Sequence, residues 1–123
     1  MTRILIVDDD PDLRRLIDMR LRLSAIEAIS VSDGQAALDF LSREEVDAVV
    51  LDVMLPGISG LETCRRIREE LRLFDLPVIM LTARARPADV EEGMAVGATD
   101  YIIKPFSPRE LLMRLQSRMG SAA

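Results

Sequence analysis

Acidic residues follow two short apolar runs of this chain, in positions suited to binding a metal ion. The run at 3–7 leads directly into three aspartates, Asp8 to Asp10, and the run at 48–51 leads into Asp52. Carboxylates a few ångströms apart repel by about 4 kcal/mol per close pair at an effective dielectric near 20, so a cluster of them requires a cation. Oxygen ligands suit a hard divalent ion such as Mg²⁺, which also binds water and phosphate oxygens.

Two further polar residues stand at the ends of later apolar runs. Thr82 follows the run at 78–81, and Lys104 follows the run at 101–103. A hydroxyl donor and an ammonium group, together with a metal ion, could hold the three oxygens of a phosphoryl group. Phosphoryl transfer depends mainly on positioning and electrostatic stabilisation and needs no general base, so it is compatible with a sequence without histidine.

An ionised aspartate can attack phosphorus directly, which makes a carboxylate the candidate acceptor. Asp52 fits that role better than Asp8 or Asp9, and the loop at 53–57 can present a backbone carbonyl to the same ion. Each residue alone also has an ordinary explanation: Asp10 as a helix cap, Asp52 as a turn residue, Thr82 as a strand-end hydroxyl and Lys104 as a solvated amine. A helix cap, however, needs one carboxylate, whereas this run offers three.

The elements that must position these residues alternate between strands and helices. We predict strands at 3–7, 27–31, 48–51, 78–81 and 101–103, and helices at 11–23, 34–42, 60–71, 87–96 and 108–119. Such alternation is typical of an α/β fold, a doubly wound parallel sheet with helices on both faces. The carboxyl ends of its strands share one edge, where these folds bind ligands.

Two helix starts carry strong capping signals. Pro11 keeps Asp10 out of the helical region and itself fits the first turn, so Asp10 is free to cap. Ser107 and Pro108 repeat this design, and Glu110 adds the acidic residue of a capping box.

Length and charge limit the other possibilities. The chain has 123 residues, enough for one domain, which we place at 1–119, with 120–123 as a flexible end or truncated linker. A net charge of -5 argues against direct nucleic-acid or membrane binding. The sequence shows no signal peptide or bilayer-spanning apolar stretch, and its single cysteine cannot form an intrachain disulfide, so we expect a cytoplasmic location.

Taken in order, these motifs resemble the receiver domain of response regulators in two-component signalling. The resemblance covers nearly the whole chain and is carried by ILIVDDD at 4–10, VVLDVMLPG at 49–57, LTA at 81–83 and GATDYIIKPF at 97–106. It implies the flavodoxin-like strand order 2-1-3-4-5. It also implies a phosphorylation-dependent switch rather than an enzyme, catalysing only its own phosphotransfer and dephosphorylation.

The resemblance assigns roles to residues of the acidic cluster. Asp9 would bind Mg²⁺ (or Mn²⁺) directly, Asp8 would support the ion through water, and Asp52 would be phosphorylated while also binding the metal. The backbone carbonyl of Met54 would be a further metal ligand.

The same resemblance implies a switch. Thr82 would hydrogen-bond the phosphoryl group, Lys104 would pair with it, and Tyr101 would turn inward as Thr82 moves. Lys104-Pro105 would be a cis peptide bond. Tyr101 also has a simpler interpretation, as a strand aromatic packed in the core.

The implied partners are a histidine kinase or phosphotransfer protein, docking near the first helix and residues 106–108, and an effector protein or attached output domain. Similarity to receivers of winged-helix regulators implies a phosphorylation-linked homodimer through the fourth helix, fifth strand and fifth helix, with Asp100, Glu110 and Arg114 at its face. Two features depart from the family. Met54 and Arg84 occupy variable sites that govern hydrolysis of the acyl phosphate, and the segment 24–27 lacks the usual glycine.

Three alternatives are less consistent with the sequence. A flavodoxin-like mononucleotide binder would place phosphate where Asp8 to Asp10 repel it. A haloacid-dehalogenase-like phosphatase would need a carboxylate where Met54 stands. The most serious alternative is a receiver-like interaction module that works without phosphorylation, although such modules tend to lose an acidic residue or the lysine.

Overall fold

The computed structural model describes residues 1–120, in which five strands and five helices alternate. The elements are β1 Arg3–Val7, α1 Pro11–Leu23, β2 Glu27–Val31, α2 Gly34–Leu41, β3 Ala48–Leu51, α3 Gly60–Glu69, β4 Val78–Thr82, α4 Pro87–Ala95, β5 Asp100–Ile103 and α5 Pro108–Arg118. Every predicted element is present, and no end differs from its predicted position by more than two residues.

The five strands form one parallel sheet in the order β2-β1-β3-β4-β5, which confirms the doubly wound, flavodoxin-like fold. Successive side chains of a strand point to opposite faces, so β1 contributes to two cores. Ile4 and Ile6 pack in a cluster with residues of α1 and α5, while Leu5 and Val7 pack with residues of α2 and α3. Because both faces are covered, the polar groups that follow the strands meet at the sheet edge.

Side-chain caps begin most of the helices, as the sequence predicts. The Asp10 carboxylate accepts from the backbone N–H of Asp12 and Leu13 at the start of α1. At α5 the Ser107 hydroxyl accepts from the Glu110 backbone N–H at 3.3 Å. The expected reciprocal half of the capping box is not among the hydrogen bonds of residues 1–120, because the Glu110 carboxylate is bonded to Arg114 one turn later.

Two loop residues adopt the left-handed conformation without being glycine. Ala25 has a φ of 60° just before β2, in the segment where the family's glycine is missing. Arg72 has a φ of 57° and lies in the turn after α3, which ends at Glu69 rather than at the predicted residue 71. Left-handed backbone costs a residue with a Cβ roughly 1–2 kcal/mol, so both loops carry some strain.

The last residues of the chain and its lack of a membrane-spanning helix complete the description of residues 1–120. Residues 121–123, part of the predicted flexible end, lie outside the described residues. Among residues 1–120, no helix has the length and apolarity required to cross a bilayer.

Candidate functional site

Three carboxylates meet at the carboxyl edge of the sheet. Val7 at the end of β1 is in register with Leu51 at the end of β3, so the residues that follow them, Asp8 and Asp52, emerge side by side. Asp8, Asp9 and Asp52 offer carboxylate oxygens that all lie within 4.8 Å of one another. Asp8 and Asp52 are only 3% and 6% exposed, whereas Asp9 is exposed. The expected convergence of acidic oxygens from two neighbouring strands is therefore confirmed.

Lys104 reaches this cluster from β5, two strands away from β3. Its Nζ lies 3.1 Å from Asp52 Oδ2 and 3.2 Å from Asp8 Oδ2. Burial acts to lower the pKa of Lys104, but the hydrogen bond and charge of Asp52, together with Asp8, hold it above its ordinary value. Lys104 thus stays protonated and serves both buried carboxylates. The Lys104-Pro105 peptide bond is cis, as the resemblance implies.

The second oxygen of each buried carboxylate is held by the backbone. Asp52 Oδ1 accepts from the Met54 N–H at 3.0 Å, and Asp8 Oδ1 accepts from the Asp10 N–H at 2.9 Å. Burial is the main cause that raises the pKa of Asp8 above its usual range, against the lowering effects of the Asp10 N–H and of Lys104. One lysine therefore does not fully compensate the cluster. The role predicted for the Met54 carbonyl stays a prediction.

A glycine lets the next helix approach Asp52 closely. A Cβ added at Gly60, the first residue of α3, would collide with the carbonyl oxygen of Asp52. Ser59 caps the same helix by accepting from the Glu62 N–H at 3.1 Å. The predicted start of this helix at residue 60 is thus confirmed, and the tight approach fixes the backbone on one side of the site.

Thr82 and Tyr101, the two predicted switch residues, are linked through Arg84 rather than through the carboxylates. Thr82 is fully buried at the end of β4, and its Oγ1 accepts from the Arg84 N–H at 3.3 Å. The Tyr101 hydroxyl donates to the Arg84 carbonyl oxygen at 2.8 Å. Burial and the negative charge of Asp89 raise the pKa of Tyr101, so its hydroxyl stays protonated as a donor.

Two residues near the site were not predicted from the sequence. Asp89, in the first turn of α4, is 5% exposed and forms ion pairs with Arg84 and Arg86. The signal available for it was an acidic residue at the third position of a helix. Arg14 of α1 donates to the carbonyl oxygen of Asp8 at 2.8 Å, a contact that residue types alone do not indicate.

The donor set fits Mg²⁺. All the clustered ligands are carboxylate oxygens, which hard cations prefer, and three carboxylates face one ammonium group. Mg²⁺ keeps part of its hydration shell, and the exposed Asp9 leaves the cluster open to a hydrated ion.

The residues expected at a dimer face are paired within the chain. Arg114 of α5 bonds Asp100 of β5 at 2.9 Å and Glu110 at 3.1 Å, and Arg118 reaches Asp100 at 3.4 Å. This network covers the face of β5 and α5 that the resemblance assigns to subunit contact.

Comparison with known proteins yields consistent matches. Residues 4–116 match the family model for the response regulator receiver domain. The DNA-binding response regulator MtrA of Mycolicibacterium smegmatis is 40% identical over 117 residues, which are 95% of this chain and 50% of that protein. A protein of Porphyridium aerugineum described as "Probable transcriptional regulator ycf27" is 43% identical over 115 residues, which are 94% of this chain and 47% of that protein.

A solved structure gives the same result for the fold. The BeF3-activated N-terminal receiver domain of RstA from Klebsiella pneumoniae superposes with a TM-score of 0.88 at 32% identity, covering 96% of this chain and 98% of that one. The chain spans about half the length of the curated relatives it matches.

Proposed function

The chain belongs to the response regulator receiver family of two-component signalling, and from that premise we propose that Asp52 is the residue that accepts the phosphoryl group. The observation that carries this proposal is the pairing of Lys104 with two buried carboxylates, Asp52 and Asp8, beside the exposed Asp9. Receiver domains act as phosphorylation-dependent switches and are not an enzyme family.

Asp9 and Asp8, with Asp52 and the Met54 carbonyl, would hold Mg²⁺ (or Mn²⁺), which neutralises developing charge on the phosphoryl oxygens when bound. Asp52 supplies the attacking carboxylate oxygen, the P–N bond of a phosphohistidine donor breaks, and its electron pair stays on the departing imidazole. Lys104, already 3.1 Å from Asp52, pairs with a phosphoryl oxygen as the new O–P bond forms. Hydrolysis of that bond would be the domain's own dephosphorylation.

The switch would begin at Thr82. Its Oγ1 accepts from the Arg84 N–H, so its own hydroxyl proton remains to be donated to a phosphoryl oxygen. A movement of Thr82 toward Asp52 would carry Arg84 with it, and Tyr101 is bonded to the Arg84 carbonyl. Phosphorylation would thereby favour one of two arrangements of β4, α4 and β5.

Upstream, the partner would be a histidine kinase or a phosphotransfer protein. Leu16, Met19 and Leu23 are exposed apolar side chains of α1, at spacings that place them on one face of the helix. This face and residues 106–108 are suited to receive the kinase.

Downstream, we infer an effector protein or an attached output domain. The relatives are about twice as long as this chain, and MtrA is described as DNA-binding. The receiver domain at 1–119 would itself not bind DNA. A phosphorylation-linked homodimer through α4, β5 and α5 would require Arg114 to exchange its bond with Asp100 for a contact with the other subunit. The protein would act in the cytoplasm.

Intact-protein mass spectrometry after incubation with acetyl phosphate and Mg²⁺ tests the acceptor. Wild type should gain one phosphoryl group and Asp52→Asn none, while Asp75→Asn, a change at an exposed loop aspartate, should label like wild type. Labelling of Asp52→Asn would assign the acceptor elsewhere. An unlabelled wild type would favour the alternative, an interaction module that works without phosphorylation.

A further inference from the structure

Arg84 connects the acidic site to α4 through three separate contacts. Its backbone N–H donates to Thr82 Oγ1, and its carbonyl oxygen accepts from the Tyr101 hydroxyl. Its guanidinium NH2 lies 3.1 Å from Asp89 Oδ1. The backbone of one residue therefore touches both switch residues, while its side chain is held by a third group.

Asp89 is a firm anchor because it is a buried carboxylate. A buried charge is costly unless it is paired, and Asp89 is only 5% exposed. Its Oδ2 pairs with Arg86 Nε at 3.1 Å and accepts from the Arg86 backbone N–H at 3.2 Å, and Arg86 NH2 also donates to Oδ1 at 3.3 Å. Losing one arginine would leave the other in place, so the two ion pairs can be tested separately.

The two arginines differ in what else they touch. The Arg86 side chain is 74% exposed, and its ion pair and hydrogen bonds are with Asp89. The Arg84 side chain is 39% exposed, and its backbone bonds to Thr82 and Tyr101. A change of the Arg86 side chain thus removes a partner of Asp89 without touching Thr82 or Tyr101, whereas a change at Arg84 affects the link to the switch.

The Tyr101 ring also packs against α4, the helix that carries Asp89. A Cβ added at Gly93 of α4 would lie 2.9 Å from Tyr101 Cδ2 and Cε2, so the ring rests against the bare backbone of this glycine. The ring position is therefore defined at one end by α4 and at the hydroxyl end by the Arg84 carbonyl.

We propose that Asp89 is a positioning residue for the switch. By pairing with the Arg84 guanidinium, it holds the Arg84 carbonyl where the Tyr101 hydroxyl can reach it. This increases the fraction of molecules in which the Tyr101 ring lies against α4. This inference rests on the proposed roles of Thr82 and Tyr101. It adds that α4, through the buried carboxylate of Asp89, sets the equilibrium between the two switch arrangements before phosphorylation.

Tyr101 can be observed without interference, since the sequence contains one tyrosine and no tryptophan. Acrylamide quenching of its fluorescence, measured without metal or phosphate donor, reports its exposure. Asp89→Asn and Arg84→Met should each increase the quenching constant about twofold, because loss of one ion pair shifts a two-state population by a small factor. Arg84→Lys should restore most of the protection, and Arg86→Met should quench like wild type.

Two results would overturn the inference: unchanged quenching in Arg84→Met, or an equal increase in Arg86→Met. If Asp89→Asn proves unstable, Arg84→Met is decisive, because in that variant Asp89 keeps Arg86 as a partner. Intact-mass labelling with acetyl phosphate in the same variants separates this inference from the proposed function. Labelling with unchanged quenching contradicts only the role of Asp89, whereas unlabelled wild type with the expected quenching pattern contradicts only the acceptor role of Asp52.

Discussion

Two clusters in this domain hold three carboxylates each, yet their charges are compensated in different ways. At the carboxyl edge of the sheet, Asp8, Asp9 and Asp52 face one ammonium group, that of Lys104. Along α3, the carboxylates of Glu62, Glu69 and Glu70 lie around the guanidinium groups of Arg65 and Arg66.

The pKa of one carboxyl group is shifted in each cluster, and the two shifts have opposite signs. Burial raises the pKa of Asp8, whereas hydrogen bonds from Arg65 and Arg66 lower the pKa of Glu62 to about 2. The α3 pairs are three to five residues apart on the solvent side of the helix, where they add modest local stability. At the sheet edge, two of the three carboxylates are buried and the three share one ammonium group, an imbalance that the proposed Mg²⁺ would relieve.

The largest expected contrast comes from removing a cation from each cluster. Lys104→Met should lower the free energy of unfolding by about 2 kcal/mol in metal-free buffer, because it leaves two buried carboxylates without a cation. This loss is smaller than for a fully buried ion pair because the Lys104 side chain is 24% exposed. Arg65→Met is the matched change on α3 and should have a smaller effect. Urea unfolding measures both, and equal losses would mean that the two clusters do not differ in this way.

Metal binding should separate the clusters next. Mg²⁺ at ten times its dissociation constant should stabilise the wild-type fold by about 1.4 kcal/mol, since it binds only the folded carboxylate cluster. Asp9→Asn should remove most of this gain, whereas Glu62→Gln should keep it. Melting curves at matched ionic strength, with NaCl replacing the magnesium salt, give the measurement. A gain that survives Asp9→Asn would place the metal elsewhere.

The sequence was sufficient to predict the sheet-edge cluster because its parts follow strands directly. In a parallel sheet, the residue after each strand has a fixed place, so Asp8, Asp52 and Lys104 could be brought together from chain order alone. Their convergence is a backbone property. The strand order 2-1-3-4-5 followed from the family resemblance, and the caps at Asp10 and Ser107 followed from residue preferences at helix starts.

Contacts that depend on side-chain reach could not be predicted in this way. The sequence showed Asp89 as one of many acidic residues on helices, and only packing of α4 reveals that it is buried against Arg84. The missing half of the capping box at Glu110 has a similar cause, because Arg114 competes for its carboxylate. Burial and competition between partners are properties of the folded molecule, not of local spacing.

Removing a carboxylate should have opposite effects in the two clusters. Without metal, Asp9→Asn should raise the free energy of unfolding by about 1 kcal/mol, because it relieves repulsion between carboxylates. The effect is small because solvent screens the exposed Asp9. Glu62→Gln should lower it, because Glu62 is bonded to Arg65 and Arg66. Urea midpoints provide the test, and changes of the same sign in both variants would contradict the proposed difference.

The smallest effect concerns the titration of Glu62. Since its folded pKa of about 2 lies below the ordinary 4.5, its contribution to stability is fully present above pH 4.5 and is lost as pH falls through about 2. The side-chain carboxyl carbon shift, followed by NMR, should therefore show a midpoint near pH 2. High salt should move that midpoint toward 4.5, because exposed ion pairs are screened. A midpoint near 4.5 in low salt would show that the α3 carboxylates are not held by their arginines, and the two clusters would then differ in burial alone.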